Sequence, residues 1–124
     1  MSDLNPKAVG IKLGNKDYGM RFTLNAIDDI QDHFDISISD ITELFKDPKT
    51  NIKALRYMLT TLINEDIEVR KDNGEAVELL TEKYVGRHID TTNMGGLIGQ
   101  IMAVFSGSLP EGDESPNAPG EPTD

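Results

Sequence analysis

The sequence predicts an α+β fold, mainly helical, with an N-terminal β-hairpin packed on a bundle of about four to five helices. Three observations lead there. Residues 9–22 alternate apolar and polar around a Gly-Asn turn, apolar residues from Thr23 onward recur at helical spacing, and beyond Leu109 the chain becomes an acidic Pro/Gly-rich tail. At 124 residues one domain is expected, spanning 9–109 between a flexible N-terminus (1–8) and a disordered acidic tail (110–124).

"VGIKLGNKDYGMRF" carries the hairpin. With Gly14-Asn15-Lys16-Asp17 as the turn, Leu13 pairs with Tyr18, Ile11 with Met20 and Val9 with Phe22, so all six apolar side chains share one face. A two-stranded ribbon of this kind is marginal alone and needs a cover. "TLNAIDDIQDHF" then switches to a helical period, with Leu24, Ile27, Ile30 and Phe34 inward, Thr23 or Asn25 as cap, and Asp28, Asp29 and Asp32 outward. A short helix after Ser39 carries Ile41, Leu44 and Phe45 and stops at Asp47-Pro48. From about Asn51 to Asn64 a third helix sets Ile52, Leu55, Leu59, Leu62 and Ile63 on one stripe and leaves Lys53, Thr60 and Thr61 outside.

"IEVRKDNGEAVEL" returns to period two. A loop Asp72-Asn73-Gly74, with Gly74 left-handed, would pair Val69 with Val77 and Ile67 with Leu79 as a second small hairpin. The alternative is a mobile loop over 65–80. Thr81 opens a further helix with Leu80 and Val85 placed for a hydrophobic staple.

Thr92 or Asn93 caps the last helix, "NMGGLIGQIMAVFSG", in which three of the first seven residues are glycine. An interior glycine costs a helix about 1 kcal/mol relative to alanine. Met94, Leu97, Ile98, Ile101, Met102, Val104 and Phe105 fall on one arc of about 160°. Gly95, Gly96, Gly99, Gln100, Ala103 and Ser106 fall on the other, and no charge occurs anywhere on the helix. The large face suits the core. The small face either packs within the same monomer or receives the backbone of a partner, and together with Met94 it is the candidate partner-binding surface.

Composition narrows the function. Acids outnumber bases 22 to 12, for a net charge of −10; that balance argues against nucleic acid, whose phosphates must be neutralised, and against anionic membranes. Cysteine is absent, which excludes disulfides and thiol chemistry. The N-terminus lacks a signal-peptide pattern, and the apolar run Met94–Phe105 is too short to span a bilayer. His33 and His88 lie on different helices, His88-Ile-Asp90 offers too few ligands for a metal, and the three aspartates lack calcium-loop spacing. "GNKDYG" joins strand to strand and is not a dinucleotide loop. No catalytic residue, cofactor or metal is expected; a small enzyme or metal protein using the aspartates and His88 is the least favoured reading.

"IKLGNKDYGMRFTLNAIDDIQDHF" resembles the N-terminal signature of tail assembly chaperones of long-tailed, siphovirus-type bacteriophages and prophages, in which a hairpin runs through an R-F-T-L-N-A junction into a helix. "LTEKYVGRHIDTTNMGGLIGQIMAVFSGSLPE" is similar to that family's closing helices, so the resemblance covers roughly residues 9–110. It implies a non-enzymatic chaperone of the host bacterial cytoplasm that binds the tape measure protein, helps recruit tail tube subunits, self-associates, and is missing from the mature virion. The alternative is a minor structural tail or connector protein retained in the virion.

Overall fold

The structure, a computed structural model, describes residues 8–108, with side chains as far as Phe105. The N-terminus before Ala8 and the acidic tail lie outside the described residues. Two antiparallel strands, β1 (Val9–Leu13) and β2 (Lys16–Met20), precede helices α1 (Leu24–Phe34), α2 (Ile41–Lys46), α3 (Asn51–Asp72), α4 (Glu82–Arg87) and α5 (Met94–Ser108), with a 3₁₀ turn at Ile38–Asp40 leading into α2. The fold is α+β and mainly helical. No described helix is long and apolar enough to cross a membrane.

The hairpin forms on the predicted face but in another register. Val9 pairs with Met20, Ile11 with Tyr18 and Leu13 with Lys16, closing a two-residue turn whose first residue, Gly14, has φ +61°. Glycine takes that conformation without strain, and two-residue hairpin turns favour it there. The slip from the expected pairing is two residues, and since side chains alternate with period two, the apolar face is unchanged. Ile11, Leu13 and Met20 are buried, and Phe22 reaches the core from beyond the strand.

Thr23 caps α1 by accepting from the Ala26 N–H at 3.1 Å while its hydroxyl donates to Glu65 on α3 at 2.6 Å. The core face of α1 is Ala26 and Ile30, with Ile27 and Phe34 half-buried; Leu24, expected inside, is 85% exposed. It occupies the first helical position, where the chain has just turned away from the hairpin, and its direction is set by the cap. Phe34 meets Tyr57 edge-on, and His33 stacks on the same ring at 3.7 Å.

α3 is the spine. Ala54, Leu55, Met58, Leu59, Leu62 and Ile63 are buried, and Thr60, expected outside, is buried too, donating its hydroxyl to the Arg56 carbonyl at 2.7 Å. Ile52, expected inside, is 54% exposed.

α3 also runs on to Asp72, so the second hairpin does not form. Three features favour the helix. Ile67 extends the Leu59–Ile63 ridge by one more turn and is buried; Arg70 pairs with Asp66 across one turn at 2.9 Å; Gly74, at φ +92°, ends the helix. The Gly74 N–H bonds the Lys71 carbonyl and the Glu75 N–H the Arg70 carbonyl, the paired bonds of a Schellman motif. The left-handed glycine was thus correctly placed but stops a helix instead of turning a hairpin. Residues 75–80 return without regular structure, and the Asn64 side-chain amide grips both backbone groups of Leu80, at 2.7 and 2.8 Å.

α4 starts as predicted, Thr81 accepting from the Tyr84 N–H at 3.0 Å, with Val85 buried and Leu80 packed against the core. Leu97, Ile101 and Phe105 carry α5 into the core, where Phe105 meets Phe22 edge-on at 4.9 Å. The last described helix therefore closes over the end of the hairpin unit.

Candidate functional site

α5 is positioned by the turn before it. Asp90 accepts hydrogen bonds from the Thr92 hydroxyl and from the backbone N–H groups of Thr92 and Asn93, and these donors hold its carboxyl below the usual carboxylate range, the Thr92 hydroxyl first among them. Asn93 stands at the cap position, its carbonyl accepting the Leu97 N–H at 3.0 Å. Its side chain reaches backward, to the Asp90 N–H and the His88 carbonyl. Asp90, weighed from the sequence as a metal ligand beside His88, organises the helix entry.

From that start the two faces of α5 separate as the spacing predicts. Leu97, Ile101 and Phe105 are buried, and Met94, Ile98, Met102 and Val104 are half-buried. Gly95, Gly96, Gly99, Gln100 and Ala103 are exposed. Ser106 continues the helix, but its side chain lies outside the described residues. A Cβ added at Gly95, Gly96 or Gly99 would meet nothing within 4 Å. Among the described residues, then, nothing packs on the glycines of the small face, and the alternative of packing inside the same monomer finds no neighbour there. Nothing in the described chain compensates these glycines for their conformational cost.

The structure assembles two features that the sequence did not signal. Asp66, 1% exposed, lies between two guanidinium groups. Arg21 donates to its Oδ1 through Nε at 3.1 Å and Nη2 at 2.9 Å, and Arg70 Nε donates to its Oδ2 at 2.9 Å. Beside it a cleft of about 640 Å³ opens between β2, the far half of α3 and residues 77–81. On its wall the hydroxyls of Tyr18 and Tyr84 hydrogen-bond at 3.2 Å.

Burial, reinforced by the Tyr84 hydrogen bond, pushes the Tyr18 hydroxyl up to about 12. A phenol so displaced stays protonated at neutral pH. The displacement predicts an alkaline signature. Above the ordinary tyrosine pKa the unfolded chain has lost the Tyr18 proton while the folded chain retains it, so stability should fall as pH rises from about 10 to about 12. Phenolate absorbance should keep growing over that interval, and Tyr18→Phe should remove the last step.

The histidines are occupied elsewhere. His33 is stacked on Tyr57, and His88 packs edge-on to Tyr84 with its ring against the Gly14 turn, where a Cβ would lie 2.8 Å from Nδ1. Asp28, Asp29 and Asp32 are exposed along α1. Among the described residues no group of three or more His, Asp or Glu is arranged to hold a metal ion. No protein-family model, curated protein or solved structure matches this chain.

Proposed function

We propose that this chain is a tail assembly chaperone of a long-tailed bacteriophage, acting in the host cytoplasm by holding an apolar helical segment of the tape measure protein against the small face of α5 and helping to recruit tail tube subunits. The observation that carries the reading is the exposed, charge-free ridge of Gly95, Gly99 and Ala103, spaced by four on a helix whose opposite face is anchored in the core. Glycine ridges allow a second backbone to approach closely, and the cost of three helical glycines is understandable if that approach returns contact energy. The half-buried Met94 and Met102 flank the ridge with adaptable apolar surface. The net charge of −10 keeps a protein that exposes such a face from precipitating. The same ridge can serve self-association. The likeness of residues 9–110 to tail assembly chaperones supplies the identity of the client.

Gly99→Leu separates binding from folding, because there is open space at that Cβ and leucine is the better helix former. Tagged chain co-expressed with the phage tail genes should retain the tape measure protein, and the variant should lose it at an unchanged or higher melting temperature. Equal recovery by both chains would overturn the assignment of the face. Mass spectrometry of purified virions should find no copies of this chain; stoichiometric copies would make it a structural tail or connector protein instead.

A further inference from the structure

Three described large apolar side chains are exposed, Leu24, Ile52 and Leu79, and two of them sit in surroundings of opposite charge. Ile52 opens onto a groove of about 430 Å³ where α3, α4 and the start of α5 meet, floored also by Ile89 and Met94. Arg56, Lys83 and Arg87 rim it, a concentration of cations in a chain with only 12 bases against 22 acids. Lys83 and Arg87 make no ion pair among the described residues. Arg56 lies across Gly86, where a Cβ would be 3.0 Å from its Cδ; its buried Nε lacks a hydrogen bond, the nearest carboxylate being Glu82 at 3.6 Å. The Arg56–Glu82 pair is exposed and hence worth little. Asp90, the carboxylate in the groove wall, is engaged by the turn before α5.

The opposite arrangement lies on α1. Leu24, Asp28 and Asp32 follow one another at intervals of four, so they form one ridge about 12 Å long. All three are exposed, as is Asp29 beside them, and none of the aspartates has an ion-pair partner among the described residues. Leu24 is 85% exposed. An apolar anchor with carboxylates trailing it thus faces solvent at one place, and an apolar groove rimmed with guanidinium and ammonium groups at another.

We propose that the groove receives the Leu24–Asp28–Asp32 ridge of a second copy of this chain, Leu24 seated on Ile52 and Met94, the aspartates on Lys83, Arg87 and Arg56. The two surfaces are different patches of one molecule, so the contact is heterologous: each copy offers a ridge to one neighbour and a groove to the next, and assembly proceeds to a ring or an open filament. The inference does not rest on the client site on α5, although the groove shares Met94 with it. Apolar contact would supply the affinity and the charges the register and salt sensitivity.

Charge exchange on the full-length chain tests it. Sedimentation velocity over a concentration series should show the unaltered chain growing in mass, less so at high salt. Asp28→Lys/Asp32→Lys and Lys83→Glu/Arg87→Glu, all at exposed positions, should each weaken association at least about tenfold with unchanged circular dichroism. Mixed together, the two reversed chains should associate again, because each ridge then meets an oppositely charged groove. Leu24→Ser should weaken association without altering the fold. A monomer at all concentrations, or association indifferent to both reversals, overturns the proposal. If removal of residues 109–124 is required before association appears, the acidic tail is the occupant of the groove and the proposal also fails. Association lost through Gly99→Leu but not through charge reversal would assign self-contact to α5 instead.

Discussion

Asp66→Ala should destabilise the protein by about 3–5 kcal/mol, the usual consequence of removing one member of a buried ion pair. The carboxylate is 1% exposed and accepts three bonds from two arginines. Arg21, whose side chain is only 18% exposed, would lose the two charge-assisted bonds it makes to that carboxylate. Arg70 is less affected, since it is more exposed and also lies 3.9 Å from Glu75. Against a total of roughly 5–15 kcal/mol for a domain of this size, the loss brings the fold close to unfolding at ambient temperature. Urea denaturation with an unchanged slope would measure it. Arg21→Met added to Asp66→Ala should recover more than about 1 kcal/mol, because the desolvated cation goes with its partner. Should Asp66→Ala cost less than about 1 kcal/mol, the carboxylate is not holding the end of β2 to α3 as the geometry indicates.

That triad also shows where the sequence could and could not be read. Asp66 belongs to a segment whose apolar positions, Ile63, Ile67, Val69 and Val77, satisfy two periods at once. Ile67 and Val69 alternate as in a strand, while Ile63 and Ile67 are one helical turn apart. What decided for the helix was burial of Ile67 and capping at Gly74, and the capping glycine looks the same locally in a three-residue hairpin loop. The first hairpin was legible because its face is redundant: a two-residue slip moves every pairing and no side chain changes sides. Leu24 and Ile52 were misplaced by the same simplification, a stripe drawn along an infinite helix; both stand at the first or second position of theirs, where the core has not yet begun.

The candidate site was legible in part for a similar reason. Which residues of α5 share a face follows from 3.6 residues per turn, and that partition survives intact in the structure. Whether the small face was open could not follow, since it depends on what the rest of the chain places there. The groove of Ile52, Arg56, Lys83, Arg87 and Met94 gathers residues from three helices separated by up to about forty positions, with no shared motif to announce them. The ridge that would fill it was visible as an acidic helix face, and Leu24 was hidden within the expected core.

The openness of that small face sets the second large expectation, of opposite sign to the first. Gly95→Ala/Gly96→Ala/Gly99→Ala should stabilise the monomer by about 1.5–2.5 kcal/mol. Gly99 is interior and contributes about 1 kcal/mol; Gly95 and Gly96 lie in the first turn, where the propensity penalty is smaller. None of the three has positive φ or a neighbour within 4 Å of the added methyl, so alanine fits the existing backbone and also restricts the unfolded chain. The melting temperature should rise by roughly 6–12 °C. The same methyl groups would hold an approaching backbone away from the ridge, so capture of the tape measure protein should fall as stability rises. Opposed changes are the signature of glycines retained for contact with another chain. A rise in both would free the small face of any binding role. A drop in melting temperature would mean that the exposed side of α5 is pressed against something in the monomer after all.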